Sequence, residues 1–347
     1  MSGVVRYSRL LGGVPRARTD EWALVGQDGG QSVDLGAETL FVFSDTLLAP
    51  LPAAPPHRDA PPPFAFDAGG PCCFLANCAG VASGDGIRDA LGGLRYVADA
   101  EGVPLEILPA TPEERRAGIR FWPQHGVLLD GRVYLYYLGI QATEGGSMWD
   151  FRTLGVGLAV LDPRSGGCRR LPGDDGWRMW PASGDDLHFG VQAVERDGHL
   201  YVFGSRRRDL TVEALLGRVP LESVEDPGAY RYLRPDTGRW VADVRRAGSL
   251  GPCGGDYSVS YNAHLGRFLM VYVDSFTTRL SLRLAGELAG PYSAPEVVGR
   301  LPHLPSSELV YLAFEHPKFA LDGGRRVVVS YCQPSFTPNT VLELGLA

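Results

Sequence analysis

Four ionisable side chains in this sequence are of the types that move protons during catalysis. Asp28 stands in the stretch VGQDGG, His125 in WPQHG, and Glu315 and His316 are adjacent in FEHPKF. Two carboxyl groups held about 5–10 Å apart can act as general acid and as base or nucleophile on a glycosidic bond. Histidine can give or take a proton near neutral pH. We therefore predict that Asp28, Glu315, His316 and His125 are catalytic, provided that the fold brings them together.

Five strand-like segments, each opened by a turn signal, supply the elements that would position these residues. The segments are DLGAETLFVFSD, LDGRVYLYYLG, RDGHLYVFGSR, HLGRFLMVYVD and LDGGRRVVVSY. Asp-Gly and X-Gly doublets favour tight hairpin turns because glycine adopts a positive φ at low cost. A degenerate repeat of several strands with few helical patterns predicts an all-β fold. We expect a five-bladed β-propeller with four-stranded antiparallel blades around a polar central funnel.

The strand before each aligned turn is predicted to line the central channel of the propeller. The positions six residues before the five turns are Asp28, Gln124, Val191, Ser258 and His316. Gln192 lies one step from Val191, and a β-bulge could turn it inward. A buried polar group without partners costs about 1–3 kcal/mol, so this ring predicts a hydrated funnel or a ligand site. The alternative is that these side chains only bond between blades or to channel water.

We expect a single domain over residues 1–347. The stretch LAPLPAAPPHRDAPPPF is too rich in proline for the interior of a sheet, which predicts an insertion in blade one at about residues 47–120. Within it, TPEERRAG predicts a short helix with Thr111 as N-cap and acidic residues in the first turn. Either the C-terminal TVLELGLA or the N-terminal GVVRYSRLL could complete the last blade and close the ring.

The first functional hypothesis is an enzyme that acts on a glycosidic or sugar-like substrate. Asp28 and Glu315 come from blades one and five, which are neighbours once the ring closes, so they could face each other across the funnel. The residues predicted to bind substrate or to tune this pair are Asp45, Trp122, Gln124, Gln192, Asp256, Tyr257 and Ser258. Trp149 is an alternative to Trp122 as a stacking platform. Asp45 could instead cap the turn into the proline-rich loop.

Two other classes of function stay open. A non-hydrolytic lyase, cyclase or isomerase of small-molecule biosynthesis would use His125 or His316 as acid and base. A carbohydrate-binding propeller without turnover would need only the polar ring and the tryptophans. We predict no cofactor, but a channel lined by Asp, Gln and His leaves a bound ion such as Ca²⁺ open.

The charge of the chain disfavours several partners. Its net charge is −7, and Lys318 is the single lysine. An acidic chain without a basic stripe is a poor candidate for nucleic acid or an anionic membrane. No stretch approaches the roughly 18 apolar residues of a membrane span, and the N-terminus lacks the apolar core of a signal peptide. We expect a soluble, cytoplasmic chain with a small-molecule or glycan substrate.

The order and number of these motifs resemble one protein family. The stretches that carry the resemblance are GQDGGQSVDLGAETLFVFSDT, DYSVSYNAHLGRFLMVYVD, RLAGELAGPYS and FEHPKF. The chain is similar, from about Asp20 to Ser330, to the five-bladed propeller family long catalogued as a domain of unknown function. Some members of that family are endo-D-arabinanases. The resemblance implies the propeller fold and a glycosidase activity on an arabinan-like polymer.

Overall fold

The computed structural model describes residues 4–13, 22–50, 73–100, 102–144, 150–173, 176–181, 187–209, 211–275, 277–303, 309–333 and 339–347. Trp149 and residues 51–72 of the predicted insertion lie outside these ranges. Two short α-helices occur in the described residues, α1 (Ile87–Gly92) and α2 (Pro112–Arg116). None of the helices in these ranges has the length and the apolar character of a membrane span.

The described residues are mostly β-strand. In chain order the strands are β1 Val5–Gly13, β2 Trp22–Asp34, β3 Thr39–Pro50, β4 Cys73–Leu75, β5 Cys78–Ala82, β6 Arg95–Tyr96, β7 Ile119–Leu129, β8 Arg132–Ala142, β9 Phe151–Leu161, β10 Cys168–Arg170, β11 Trp180–Pro181, β12 Leu187–Arg196, β13 His199–Arg208, β14 Thr211–Pro220, β15 Arg231–Arg234, β16 Arg239–Val241, β17 Tyr257–Asn262, β18 Arg267–Val273, β19 Arg279–Ala285, β20 Glu296–Arg300, β21 Tyr311–Glu315, β22 Arg326–Cys332 and β23 Thr340–Leu346. Short 3₁₀ helices lie at Leu221–Ser223, Pro227–Ala229, Val244–Arg246, Pro317–Phe319 and Asp322–Gly324.

These strands form five antiparallel sheets of four or five strands, arranged as the blades of a propeller. From the axis outward, blade one is β2-β3-β5-β6 with β4 also on β3, and blade two is β7-β8-β9-β10 with β11 on β9. Blade three is β12 to β16, blade four is β17 to β20, and blade five is β21-β22-β23-β1. The innermost strands β2, β7, β12, β17 and β21 contact one another in turn around the axis. The predicted five-bladed, all-β fold is confirmed.

The turns that join the first two strands of the blades have the geometry that the Asp-Gly doublets predicted. Asp130 and Gly131 have φ of 48° and 77°, and Asp197 and Gly198 have φ of 50° and 74°. Two successive positive φ values give the type of turn that matches the twist of the strands it joins. Asp322 and Gly323 in blade five follow the same pattern, whereas the turns of blades one and four have a positive φ only at Gly36 and Gly266.

A hydrophobic cluster lies between each pair of neighbouring blades in the described part of the chain. Trp180 and Phe189 meet between blades two and three, and Phe203 packs edge-on against Tyr257 between blades three and four. Fully burying one such side chain stabilises the fold by about 1.5–3 kcal/mol. The core of the molecule is thus a ring of five interfaces around a polar axis.

Both ends of the chain complete blade five. β23 is its third strand, and β1 pairs with β23 as the outermost strand, with Val5 opposite Leu346 and Arg9 opposite Glu343. The two strands proposed as alternatives for ring closure therefore act together. Blade one draws its outer strands β5 and β6 from within residues 47–120, so much of that interval belongs to the blade. Helix α2 begins at its predicted cap, because Thr111 and Glu114 form a capping box.

Four of the five innermost strands contain a β-bulge. The register shifts at Asp28 in β2, at Gln124 and His125 in β7, between Phe189 and Gln192 in β12, and between Tyr311 and Phe314 in β21. β17 is regular. A one-residue shift turns the side chains that follow it to the opposite face of the strand. The innermost strands start at one end of the propeller, which we call the funnel face. They reach their hairpin turns at the opposite end, which we call the turn face.

Candidate functional site

The polar residues near the axis divide into two groups. The first, which we call the funnel cluster, lies toward the funnel face and consists of Asp28, Asp45, Trp122, His188, Asp256 and Tyr311. The second lines an axial cavity of about 360 Å³ toward the turn face, and every blade contributes to it; its inner polar residues are Gln31, His125, Gln192, Ser258 and Glu315. No member of the funnel cluster lines this cavity.

Asp28 and Asp45 face each other across the β2–β3 hairpin. Gln27 pairs with Thr46 and Gly29 with Phe43, so Ser44 and Asp45 together stand opposite the single residue Asp28. Cross-strand neighbours have Cβ atoms roughly 5 Å apart. The chain after Asp28 takes φ values of 87° and 102° at Gly29 and Gly30, which only glycine adopts at low cost. The sequence GQDGG thus produces the bulge that sets Asp28 beside Asp45.

The surroundings of Asp28 favour its protonated form. The pKa of Asp28 is raised to about 8, with burial as the largest cause and the neighbouring charge of Asp45 as the second. The hydroxyl group of Tyr311, at the start of blade five, donates a hydrogen bond of 2.8 Å to Asp28 Oδ1 and acts in the opposite direction on this pKa. Asp28 is therefore mostly protonated at pH 7.

Asp45 is held by the indole of Trp122. Trp122 Nε1 donates to Asp45 Oδ1 at 2.8 Å, and its ring stands edge-on to Phe151 with the ring centres 4.8 Å apart. Burial raises the pKa of Asp45 to about 6, while the Trp122 hydrogen bond and the charge of Arg120 lower it. Asp45 is therefore mostly ionised at pH 7, in contrast to Asp28. Trp122, predicted as a stacking platform, fixes the position of this carboxylate.

Blades three and four contribute a third carboxyl group and a histidine. Burial raises the pKa of Asp256, and the charges of His188 and Arg207 oppose the shift. His188 Nε2 lies 3.0 Å from Ser205 Oγ, and its buried Nδ1 has no hydrogen-bond partner among the described residues. Asp28 and Asp256 both help to raise the pKa of the Cys332 thiol, after burial as the main cause. The carboxyl groups of blades one and four thus lie near the same thiol.

Glu315 lies in the other group, in the wall of the axial cavity. Its side chain is buried, with 5% of the residue exposed. Ser260 Oγ donates to Glu315 Oε2 at 2.5 Å, and the Glu315 main-chain N–H donates to Ser258 Oγ at 2.8 Å. Burial raises the pKa of Glu315 to about 7.

The predicted pair of Asp28 and Glu315 is not in mutual contact in the described structure. Tyr311, which binds Asp28, begins β21, and Glu315 ends it. The carboxylate that acts on the pKa of Asp28 is that of Asp45. The carboxyl group in electrostatic contact with Asp28 is thus that of its hairpin partner, and a catalytic role for Glu315 stays a prediction.

The two predicted histidines occupy different surroundings. His125 lines the cavity, with its Nδ1 accepting from the Ala193 main-chain N–H at 3.3 Å and its Nε2 3.1 Å from the Gln192 amide. Burial lowers the pKa of His125 to about 4. His316 is 0% exposed, and its two ring nitrogens lie 2.9 Å and 2.8 Å from the hydroxyl groups of Ser32 and Ser330. His316 therefore joins blade five to blade one instead of facing a ligand.

Two further predicted site residues lie in the interior. Tyr257 is fully buried between blades three and four, and its hydroxyl donates to the Gly204 carbonyl at 2.6 Å. Gln124 is buried in the β7 bulge, and its Oε1 has no partner in the described residues. Neither residue lines the axial cavity. The β7 bulge explains the placement of Gln124. In the regular strand β17, Tyr257 points away from the cavity because side chains alternate and the next residue, Ser258, lines it.

Sequence reasoning missed Tyr311, His188 and Gln31. Tyr311 and His188 lie near the starts of their strands, farther from the hairpin turns than the positions about six residues before each turn that the sequence comparison used. Gln31 follows the two register shifts of β2 at Asp28 and Gly30. Across the described ranges, no group of three or more His, Cys, Asp or Glu residues is placed to hold a metal ion.

The fold has counterparts among solved structures. A candidate hydrolase from Bacteroides ovatus matches 94% of this chain and 87% of its own length, with a TM-score of 0.65 and 16% identity. A family 117 glycoside hydrolase from Zobellia galactanivorans matches 98% and 90%, with a TM-score of 0.50 and 13% identity. A family 43 enzyme from Xanthomonas citri, solved with xylotriose, matches 95% and 90%, also with a TM-score of 0.50 and 13% identity. Identities this low show a common fold alone.

A search of curated proteins finds no match to this sequence. The profile of one family, described as Domain of unknown function (DUF4185), matches residues 14–334. This match confirms the resemblance that the sequence motifs indicated. The chain therefore belongs to the family described as Domain of unknown function (DUF4185).

Proposed function

We propose that this chain is a glycoside hydrolase-like enzyme that cleaves a glycosidic bond with the carboxyl groups of Asp28 and Asp45. The observation that carries the proposal is that two cross-strand neighbours in the funnel cluster have pKa values of about 8 and about 6. A protonated and an ionised carboxyl group side by side at pH 7 are what general acid catalysis and nucleophilic or base catalysis require. The fold shared with glycoside hydrolases supports this assignment.

In the proposed reaction, Asp28 donates its proton to the glycosidic oxygen as the bond to the leaving group breaks. Tyr311 holds the Asp28 carboxyl group in place for this transfer. The Asp45 carboxylate, oriented by Trp122, attacks the anomeric carbon and forms an ester. Ionised Asp28 then takes a proton from water as that water breaks the ester. A double displacement of this kind retains the configuration of the anomeric carbon and requires carboxyl groups about 5–5.5 Å apart.

The remaining members of the funnel cluster would bind the substrate. Asp256 and His188 offer hydrogen-bonding groups from blades three and four, and the Nδ1 of His188 has no partner in the described residues. Sugar hydroxyl groups are suitable partners for such groups. The family 43 neighbour was solved with xylotriose, and the sequence resemblance points to arabinan. Pentose polymers are therefore the first substrates to test.

The hypothesis of a histidine-based lyase or cyclase gains no support from the described residues. Both nitrogens of His316 already contact serine hydroxyl groups, and His125 contacts Ala193 and Gln192. Burial lowers the pKa of both histidines, to about 3 and about 4, which disfavours protonation at pH 7. We therefore assign the chemistry to carboxyl groups.

The test is a screen of arabinans, xylans and galactans for the release of reducing ends by the purified chain and by Asp28→Asn. We expect the wild-type chain to cleave at least one of these polymers and the variant to lose about 100-fold to 10,000-fold in rate, the usual contribution of a general acid. Asp130→Asn is the matched control, because Asp130 lies in an exposed hairpin turn with φ of 48°, which asparagine also tolerates. Equal rates for the wild-type chain and Asp28→Asn would overturn the proposal.

A further inference from the structure

The axial cavity contains a buried carboxylate that lacks a cation. Glu315 is 5% exposed, and its described side-chain hydrogen bond comes from the neutral hydroxyl of Ser260. None of the ion pairs among the described residues includes Glu315. Removing a carboxylate from water without a counter-ion is costly, and the raised pKa of Glu315 agrees with this. A cationic ligand would remove the cost.

Side-chain amides from two other blades also line the cavity. Gln31 of blade one is 3% exposed, and Gln192 of blade three is 8% exposed. The blade between them contributes His125, whose Nε2 lies 3.1 Å from the Gln192 amide. A buried amide needs hydrogen-bond partners, and polar groups of a ligand can supply them. Carboxylate and amide groups thus converge on the cavity from blades one, three and five.

The charges at the outer end of the cavity also favour a cation. Asp34 and Glu195 are exposed lining residues at the turn face. Lys318 lines the same end, but its Nζ already donates to Asp34 Oδ1 and to the carbonyls of Gly36 and Glu38 at 2.7, 2.6 and 2.6 Å. Lys318 therefore has no N–H group left for a ligand. The potential at the mouth would attract a positive charge.

The size and walls of the cavity favour an organic cation over a metal ion. A volume of about 360 Å³ far exceeds that of a bare ion, and much of the wall is apolar, from Val33, Val127, Leu128, Val259 and Phe314. Among the described residues no three His, Cys, Asp or Glu side chains are placed to hold a metal. An ammonium group needs only hydrogen-bond acceptors, and its carbon chain can contact the apolar wall.

We propose that the axial cavity binds a small organic ammonium ion, with the ammonium group on Glu315 and the carbon chain along the channel toward the turn face. The site is separate from the funnel cluster, so this inference does not depend on the proposed glycosidase activity. Gln31 and Gln192 bind polar groups of the same ligand. Glu195 raises the local concentration of the cation at the mouth.

The experiment is calorimetric titration of the full chain with ethanolammonium or putrescine at pH 8, where Glu315 is ionised. We expect saturable binding, with at least tenfold weaker affinity in Glu315→Gln, which keeps the shape of the side chain and an acceptor for Ser260. Tetramethylammonium is the matched control for ethanolammonium, because it has the same single positive charge and no N–H donor. We expect it to bind much more weakly. Asp28→Asn is expected to bind the ammonium probes as the wild-type chain does.

A second variant keeps the test decisive if Glu315→Gln does not fold. Glu195→Gln changes an exposed residue at the mouth and is expected to weaken binding a few-fold, with less effect at high salt. Three results would each overturn the proposal: no binding of either probe by the wild-type chain, equal affinity in both variants and the wild-type chain, or binding of Ca²⁺ but not of ammonium ions.

Discussion

Asp28 and Asp45 carry the same functional group but differ in protonation because their surroundings differ. Asp28 is half-buried beside another carboxylate and receives a hydrogen bond from the hydroxyl of Tyr311. Asp45, also half-buried, receives a hydrogen bond from Trp122 and lies near the positive charge of Arg120. Burial raises the pKa of both carboxyl groups. The hydrogen bond from Trp122 and the charge of Arg120 offset more of this rise at Asp45 than the hydrogen bond from Tyr311 offsets at Asp28. The proposed division between acid and nucleophile follows from this difference.

At the residue scale, the proposal predicts a bell-shaped pH dependence of kcat/KM. Activity requires ionised Asp45 and protonated Asp28, so the limbs are expected near pH 6 and pH 8. Tyr311→Phe removes a hydrogen bond that lowers the pKa of Asp28 and should move the alkaline limb up by about 0.5–1 unit. Rates measured from pH 4 to 10 on the cleaved glycan test this. An alkaline limb that stays in place in Tyr311→Phe would contradict the assignment of Asp28 as the acid.

The same carboxyl groups predict how stability depends on pH. The pKa values of Asp28, Glu315 and Asp45 are raised in the folded state to about 8, 7 and 6, from unfolded values near 4. The stabilising contribution of such a group is complete below its unfolded pKa and is lost as the pH rises through the folded pKa. The free energy of unfolding should therefore fall between pH 6.5 and 8.5. The buried histidines, whose unfolded pKa lies near 6.5, oppose this fall only below about pH 7.5. Asp28→Asn should make this fall smaller by at least about 1 kcal/mol, as measured by urea unfolding at each pH. A slope unchanged in Asp28→Asn would contradict the raised pKa.

Part of the site is predictable from residue types and spacing. Asp28 and Asp45 could be found because the stretch from Val25 to Thr46 reads as one hairpin with a carboxylate on each strand. His188, Tyr311 and Gln31 could not, because nothing in the sequence around them marks the direction of a side chain after a bulge. Tyrosine and histidine are residue types that are common in functional sites. Tyr257, however, packs between two blades, and His316 contacts two serine hydroxyl groups.

At the element scale, Lys318 joins blade five to blade one. It follows Pro317 in the short 3₁₀ helix after β21, and its three N–H groups bind Asp34, Gly36 and Glu38 around the β2–β3 turn. We expect Lys318→Met to lower the free energy of unfolding by about 1–3 kcal/mol. Lys318→Arg should not restore it, because a planar guanidinium cannot direct three N–H groups from one atom.

Thermal and urea unfolding measure the effect of the Lys318 variants. Arg325→Met is the matched control, since it removes a positive charge from an exposed position in the next turn and should change stability by less than about 0.5 kcal/mol. If Lys318→Met is as stable as Arg325→Met, this lysine does not help to close the ring.

The strands themselves were predictable, but their register was not. The Asp-Gly doublets predicted the positions of hairpin turns, and hence of the blades, because a positive φ is a local property of Asp-Gly, as Asp130 and Asp197 illustrate. The bulges in β2, β7, β12 and β21 depend on contacts between strands that are distant in sequence. Because of the β12 bulge, Gln192 lines the cavity. Val191, the residue six positions before the turn of blade three, lies instead in the hydrophobic cluster between blades three and four.

At the scale of the whole molecule, the ring places two polar sites along one axis. The funnel cluster lies toward the starts of the innermost strands, with Asp45 added from β3 and Asp256 from just before β17, and the axial cavity lies nearer the hairpin turns. Each blade contributes a polar side chain to the cavity, so its shape depends on the ring being closed. A change at the closure of the ring should therefore affect the whole molecule.

Strand β1 is that closure, and its removal tests it. A variant that lacks residues 1–13 leaves β23 as an unpaired edge strand and removes Val5 from the hydrophobic cluster between blades four and five. We expect a lower Tm and concentration-dependent association through the new edge, measured by thermal unfolding and light scattering. Arg9→Ala, which removes only the exposed end of an ion pair with Glu343, should cost no more than about 1 kcal/mol. A truncated chain with the wild-type Tm would contradict this account of ring closure.

The most direct test of the central claim is the kcat/KM of Asp28→Asn and Asp45→Asn on the glycan that the wild-type chain cleaves, with Asp130→Asn measured beside them. The proposed pair predicts that both funnel variants lose at least about 100-fold while Asp130→Asn keeps the wild-type value. If either funnel variant stays within a few-fold of Asp130→Asn, then Asp28 and Asp45 do not form the catalytic pair.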